Sequence, residues 1–247
     1  MHRFFVSGHA LRGQRVVMVG DQAHQVRAVL RLRPGQRIVV LDDSGWEYEV
    51  ALTLVTRAEA TGDIVERRPA TGEPGVHLTL YPAVFKWERF EWMLQKCTEV
   101  GVSRFVPVVM QRSPIQDPAV ISPNKVARWQ RIIVEAAEQS GRGRLPVLAP
   151  AVKLAEALAD LSGAAYGLAL MPWEQAEAVT VAEALSQADS PATIALFIGP
   201  EGGFTAEEVA HGRQQGAIPV TLGRRILRSE TAAVVAAALV LHESGEL

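Results

Sequence analysis

The chain is poor in the residues from which several kinds of site are built. Its one cysteine, Cys97, excludes an intrachain disulfide and a cysteine-based zinc site. Its six histidines are scattered, without an HxxxH pair, so the expectation is no metal. No apolar run approaches the roughly 20 residues of a membrane helix. Arg12 and Arg15 follow Met1-His-Arg-Phe-Phe-Val6 too soon for a secretory signal. The expected setting is therefore cytoplasmic, with no membrane partner. The patterns GxxxxGK[ST], GxGxxG and GxSxG are all missing, which argues against a phosphate-driven nucleotide site and against a serine hydrolase. A formal net charge of −2 argues against nonspecific coating of nucleic acid.

What is present suits a folded α/β protein. Hydrophobic residues make up 48% of the 247 and charged residues 21%, enough apolar material for a buried core. Charge is unevenly placed. Between Met1 and Arg37 there are seven arginines, no lysine and one acid, Asp21. Guanidinium forks bind phosphate bidentately, so this stretch reads as a polyanion-binding face or, alternatively, as the solvated side of a small β domain.

Two textures divide the chain. Residues 1–70 carry short β-rich runs (Arg15–Val19, Ile38–Leu41, and the alternating Trp46–Leu52) between turn signals at Arg33–Gln36 and Asp42–Gly45, with a short helix over His24–Leu32. Many short strands in so little chain suggest a small barrel. After the break at Pro69–Gly75, residues 76–247 alternate apolar strand-length runs with helical patterns. The runs are Val76–Leu80, Phe105–Met110, Tyr166–Met171, Thr193–Ile198 and Ile218–Leu222. The spacing of Phe90, Met93, Leu94, Cys97 and Val100 predicts a helix ended by Gly101, with Cys97 in its core face. Helices are also expected over Val126–Gln139, after a capping box at Thr205–Glu208, and over Glu230–Glu243. Strand–helix alternation implies a mostly parallel sheet covered on both faces.

Two glycine-bearing loops lie at the ends of apolar runs: Gly199-Pro-Glu-Gly-Gly203, and the segment from Gly223 to Thr231 with Arg224, Arg225 and Arg228. In open α/β sheets ligands sit at that edge, and glycine lets main chain approach them. Each loop also has a plainer reading. The first is a tight strand–helix turn. In the second the arginines are surface charge, Ser229 is an N-cap and Glu230 complements the helix dipole. Of two charged helices, Lys86–Gly101 carries Glu88, Arg89, Glu91, Gln95, Lys96 and Glu99 on a face that is usually just solvated, and Arg128–Arg142 places Glu135, Gln139 and Arg142 within reach of a site or simply in a structural role.

Taken in order, five segments are similar to one family: Arg3-Phe-Phe5, Gln95-Lys-Cys-Thr-Glu-Val-Gly-Val102, Glu135-Ala-Ala-Glu-Gln-Ser-Gly-Arg142, Phe197-Ile-Gly-Pro-Glu-Gly-Gly-Phe204 and Leu222-Gly-Arg-Arg-Ile-Leu-Arg-Ser-Glu-Thr-Ala232. The chain resembles the RsmE-type 16S ribosomal RNA uracil-N3 methyltransferases of the SPOUT superfamily, nearly end to end. It departs at Val100, where that family favours leucine, and at Cys97, where alanine is common.

The resemblance implies an α/β SPOUT methyltransferase domain with a C-terminal trefoil knot over 76–247, and a PUA-like RNA-binding β-barrel over 1–70. It implies S-adenosylmethionine as methyl donor, a homodimer, and 16S rRNA or the small ribosomal subunit as partner. The implied cofactor positions are Leu170, Met171, Ile198, Gly199, Pro200, Gly203, Leu222, Gly223, Ile226 and Leu227. For catalysis it puts forward Arg228 first, Glu201 and Glu230 as proton acceptors, and Lys96 and Arg3 as cations from a second subunit. Arg3, Arg12, Arg27, Arg31, Arg33 and Arg142 are the expected RNA contacts. Another SPOUT specificity, 2′-O-ribose methylation, or a non-catalytic ribosome-associated RNA-binding factor are the alternatives.

Overall fold

Burial alternates along Arg15–Val19, and apolar residues alternate with polar ones at the start of Trp46–Val55; both segments form half-buried strands. The computed structural model describes residues 1–163, 166–176 and 179–247. The chain divides into two compact units: Met1–Glu73 with Ala137–Leu145, and Pro74–Ala136 with Pro146–Leu247.

The first unit contains β1 (Arg3–Phe5), β2 (Leu11–Arg12), β3 (Arg15–Val19), α1 (Asp21–His24), β4 (Arg37–Leu41), β5 (Trp46–Val55) and β6 (Glu59–Pro69). Its strands form one curled sheet in the order β1-β4-β5-β6-β3-β2. Only β1–β4 is parallel. Register shifts at Glu49/Val50 and Leu52/Leu54 bend β5 against β6. Phe4, Val16, Met18, Ile38, Val40, Val50 and Leu52 fill the interior. The helix expected over His24–Leu32 starts earlier, at Asp21, and widens to a π-type turn over Gln25–Val29. It ends where Arg31 takes a left-handed φ of 55° and Leu32 N–H donates to the Val26 carbonyl at 2.9 Å.

The second unit carries β7 (His77–Pro82), α2 (Trp87–Val100), β8 (Arg104–Phe105), β9 (Val108–Val109), α3 (Pro123–Ser140, whose last turn belongs to the first unit), β10 (Val147–Leu148), β11 (Val152–Lys153), α4 (Leu154–Gly163), β12 (Leu168–Pro172), α5 (Val181–Gln187), β13 (Thr193–Ile198), α6 (Ala206–Gln214), β14 (Ile218–Val220) and α7 (Ser229–Glu243). Six of the strands make a wholly parallel sheet, β10-β8-β7-β13-β12-β14. The run Phe105–Met110 is two short strands, because Pro107 has no N–H to continue a ladder. β9 instead pairs with β11.

Along β13 the side chains alternate between two cores. Ile194, Leu196 and Ile198 pack on one face with Phe90, Met93, Cys97 and the alanines of α7. Ala195 and Phe197 pack on the other with Leu158 and Val209. Burying residues the size of Leu196 and Phe197 contributes about 1.5–3 kcal/mol each, so this strand fixes the sheet between two helical layers. Gly101, at φ 128°, ends α2 as expected.

Candidate active site

The C-terminal ends of β13, β12 and β14 open into one cleft of about 600 Å³, counting the solvent at its mouth. From β13 come Ile198 and the following turn, Gly199, Pro200, Gly203 and Phe204. From β12 come Pro172, Trp173 and Glu174. From β14 come Thr221, Leu222, Gly223, Arg225, Ile226 and Leu227, and the first turn of α7 adds Ser229 and Ala232.

The β13 turn is held in shape locally. Gly203 has φ 68°, a left-handed conformation that suits glycine, and its N–H donates to the Pro200 carbonyl at 2.8 Å. The Gly202 carbonyl accepts from Arg112 Nη1 at 2.6 Å, and Glu201 accepts from Arg89 Nη1 at 2.9 Å. Thr205 and Glu208 then form the reciprocal capping box that starts α6.

Eight of the ten expected cofactor positions meet in this cleft: Ile198, Gly199, Pro200, Gly203, Leu222, Gly223, Ile226 and Leu227. Leu170 and Met171 do not line it. Both are fully buried in β12, and the wall is formed by the next three residues, Pro172–Glu174, which lie at and beyond the end of that strand. Pro172, Trp173, Glu174 and Thr221 went unnoticed in the sequence, and Ser229 was read only as a helix cap. The signal available was their place just past an apolar run or at a helix start.

The lining suits S-adenosylmethionine. Pro172, Ile198, Phe204 and Leu222 offer apolar walls, the turns offer main-chain groups, and Glu174 and Arg225 put one charge of each sign at the exposed rim. The indole Nε1 of Trp173 is buried without a hydrogen-bond partner among the described residues, an orphaned donor on the cleft wall.

Beside the cleft, across the first turn of α7, lies a shallower recess lined by Glu88, Arg89, Trp92, Arg228, Glu230 and Thr231. Arg228 is the N-cap of α7, and its exposed side chain makes no capping bond. Ser229 is the first helical residue rather than the cap. Glu230 is 8% exposed. Its Oε1 lies 3.6 Å from Arg89 Nε, and its Oε2 is buried with no hydrogen-bond partner among the described residues. Arg89 therefore joins both expected proton acceptors, Glu201 and Glu230. Sequence reasoning placed it only on a charged helix face.

The remaining expected residues are placed otherwise. Lys96 is ion-paired with Glu99, three residues along α2, at 2.8 Å. Arg3 is bound to the buried carboxylate of Glu47, which also takes Arg68. Burial works to raise the Glu47 carboxyl, and hydrogen bonds and charge from Arg68 and Arg3 overcome this and hold it below the usual carboxylate range. Arg3 is thus committed within the first unit. Arg142 must be corrected as an RNA contact: it is 2% exposed, and its Nε and Nη2 form a fork on Glu73 at 2.8 and 2.9 Å. Arg12, Arg27, Arg31 and Arg33 are exposed, and no ion pair engages them among the described residues. No helix of the described residues is long and apolar enough to cross a membrane, and no cluster of three metal-ligating side chains occurs among them.

The family described as an RNA methyltransferase domain matches residues 72–241. A ribosomal RNA small subunit methyltransferase E of Synechocystis is 34% identical over 239 residues, covering 97% of this chain and 77% of that protein. The chain belongs to the ribosomal RNA small subunit methyltransferase E family. A Mycobacterium bovis member is 30% identical over 239 residues, covering 94% of this chain and 88% of that one. Among solved structures, the methyltransferase E of Neisseria gonorrhoeae bound to S-adenosylmethionine superposes with a TM-score of 0.87 at 30% identity, over 98% of this chain and 97% of that one. A methyltransferase of Legionella pneumophila, also in complex with S-adenosylmethionine, gives 0.85 at 27%, over 97% and 96%. The fold class of this methyltransferase E family member is the expected one, a SPOUT α/β knot domain with a PUA-like curled sheet before it.

Proposed function

We propose that this chain transfers a methyl group from S-adenosylmethionine to N3 of a uridine in the 16S rRNA of the small ribosomal subunit. The observation that carries the reading is the apolar, main-chain-rich cleft at the ends of β12, β13 and β14, with a carboxylate and an arginine against its α7 wall. Relatives at 30% identity and above are named ribosomal RNA small subunit methyltransferase E, which supports the coarser part of this reading, and a neighbour at TM-score 0.87 holds the donor.

When bound, S-adenosylmethionine supplies a methyl on a sulfonium and departs as a neutral thioether. The chain's own residues do the rest. The cleft turns hold and orient the donor. A carboxylate, Glu201 or Glu230, takes the proton from uracil N3, leaving the electron pair there for the new bond. Arg228 faces the negative charge that spreads onto the uracil oxygens. Arg12, Arg27, Arg31 and Arg33 of the first unit contact rRNA phosphates, which positions the substrate without reading sequence. The division at 1–70 and 76–247, a homodimer and a cytoplasmic setting belong to the same proposal.

Mass spectrometry of rRNA nucleosides from a strain lacking the gene tests it. Loss of 3-methyluridine is the expected result. Loss of a ribose-methylated nucleoside, or no change, overturns it.

A further inference from the structure

We infer that Arg112, which does not line the donor cleft, is a positioning residue for S-adenosylmethionine: its guanidinium pins the Gly202–Gly203 peptide and so sets the main chain that meets the donor. This rests on the methyltransferase reading above and adds to it a residue that governs donor affinity from outside the cleft.

The turn after β13 has two glycines in succession, and of these Gly203 lines the cleft while Gly202 does not. A peptide between two glycines has no Cβ to oppose its rotation, so it flips at little steric cost. A flip would reverse the Gly202 carbonyl and the Gly203 N–H and reshape the wall that Gly203 provides. In this chain the peptide is held at both ends. The Gly203 N–H donates to the Pro200 carbonyl at 2.8 Å, and the Gly202 carbonyl accepts from Arg112 Nη1 at 2.6 Å. The first bond is internal to the turn. The second comes from 90 positions away and has a charged donor, which makes it the stronger of the two.

The same side chain fills the space over Gly202. A Cβ built there would stand 3.1 Å from Arg112 Cδ and 3.3 Å from Arg112 Cβ. Gly202 has no left-handed φ, so the approach of Arg112 is what demands glycine at this position.

Arg112 is in turn anchored by its neighbours. The Gln111 N–H donates at 2.8 Å to Glu208 Oε1, and Glu208 also closes the capping box at the start of α6. Ser113 Oγ accepts from the Met110 N–H at 3.1 Å, and Gln116 Nε2 donates to the Ser113 carbonyl at 2.8 Å. The segment from Met110 to Gln116 therefore grips the connection between β13 and α6 twice, at Gly202 through a side chain and at Glu208 through main chain. Arg112 itself is exposed, so its contact adds little to overall stability and acts on the shape of the turn.

The test is calorimetric titration of the full-length protein with S-adenosylmethionine, with the melting temperature of the unliganded chain and steady-state kinetics measured alongside. Arg112→Ala should weaken donor binding about tenfold and raise KM for the donor by a similar factor, with kcat within about twofold of wild type. Arg112→Lys keeps a charged donor and should recover most of the affinity. The unliganded melting temperature should move by no more than about 4 °C in either variant. Gly202→Ala should also weaken donor binding, because the added methyl displaces Arg112. Combined with Arg112→Ala it should cost nothing further, since the side chain it displaces is already gone.

Donor affinity unchanged by Arg112→Ala, or full additivity of the two alanine substitutions, overturns the inference. A large fall in melting temperature that Arg112→Lys does not rescue makes the contact structural and overturns it too. Weaker binding of an rRNA fragment by Arg112→Ala, with donor affinity intact, assigns the guanidinium to phosphate with the same result. Failure of the wild-type chain to bind S-adenosylmethionine would instead remove the methyltransferase reading.

Discussion

Arg89 on α2 reaches Glu230 on α7, with Nε 3.6 Å from Oε1, and at the same time donates from Nη1 to Glu201 at 2.9 Å in the turn after β13. One guanidinium therefore links three elements. Only the Glu230 end is buried, and the arginine itself is about a third exposed. The exposed contact with Glu201 is worth little to stability, about 1 kcal/mol or less. The consequence of Arg89 lies in where it holds two carboxylates. Arg89→Ala should lower the melting temperature, because buried Glu230 loses its ion partner, and lower kcat about tenfold to hundredfold, with KM for S-adenosylmethionine unaltered. Arg89→Lys should recover only part, since an ammonium lacks the planar fork. Steady-state kinetics with both substrates varied separates these outcomes; a raised KM with unchanged kcat would place Arg89 in binding.

Gly203→Ala should weaken donor binding. The residue sits at φ 68°, and a side chain there costs about 1–2 kcal/mol of backbone strain. An added Cβ would also stand 3.0 Å from Glu174 Oε2. The carboxylate can swing away, so the loss comes mainly from distortion of the turn that lines the cleft. Calorimetric titration with S-adenosylmethionine should show about tenfold weaker binding, with the fold retained by circular dichroism.

The parts legible in the sequence were those written in local periodicity. Phe90, Met93, Leu94 and Cys97 announce the buried face of α2, Thr205 and Glu208 announce the start of α6, and the glycines past Ile198 announce a turn at a sheet edge. β10 and β11 were not legible, because two residues show no period. The strand over Phe105–Met110 failed at Pro107, where the missing N–H ends the ladder. Pairing between distant charges was the larger gap. Arg89 and Glu201 are 112 positions apart, and Arg142 and Glu73 are 69 apart. No local pattern distinguishes an arginine that meets a phosphate from one that meets a buried glutamate. Arg142 and Arg27 look alike in sequence and have opposite surroundings in the fold.

That contrast is itself testable. Arg142 is 3% exposed along its side chain and its fork on Glu73 is well formed. Removing one partner of such a pair leaves a poorly solvated charge, at a cost of about 3–5 kcal/mol. Arg142→Ala should lower the melting temperature by many degrees. Replacing Arg27, Arg31 and Arg33 together with alanine should leave it unchanged and flatten the salt dependence of rRNA binding, since three phosphate contacts are lost. An unchanged salt slope would move the rRNA contact off this face of the first unit.

Acid should release the brace between α2 and α3. Arg128 grips Glu91 through Nε and Nη2 at 2.8 and 2.9 Å, and Lys125 approaches at 3.4 Å. The Arg128 hydrogen bonds, set against partial burial and reinforced by the charges of Arg128 and Lys125, hold the Glu91 carboxyl below its usual 4.5. The folded protein therefore binds this proton less readily than the unfolded chain. Its contribution is complete above pH 4.5 and is lost as pH falls through the lower, folded value. Denaturant melts should show stability declining below pH 4.5 in the native chain. In Arg128→Ala the part of that decline due to Glu91 should shrink, because the carboxyl loses its main reason to stay ionised. The arginine is exposed, so the difference is modest and smaller at high salt. Identical pH profiles for the two proteins would show that Glu91 does not distinguish the folded from the unfolded chain.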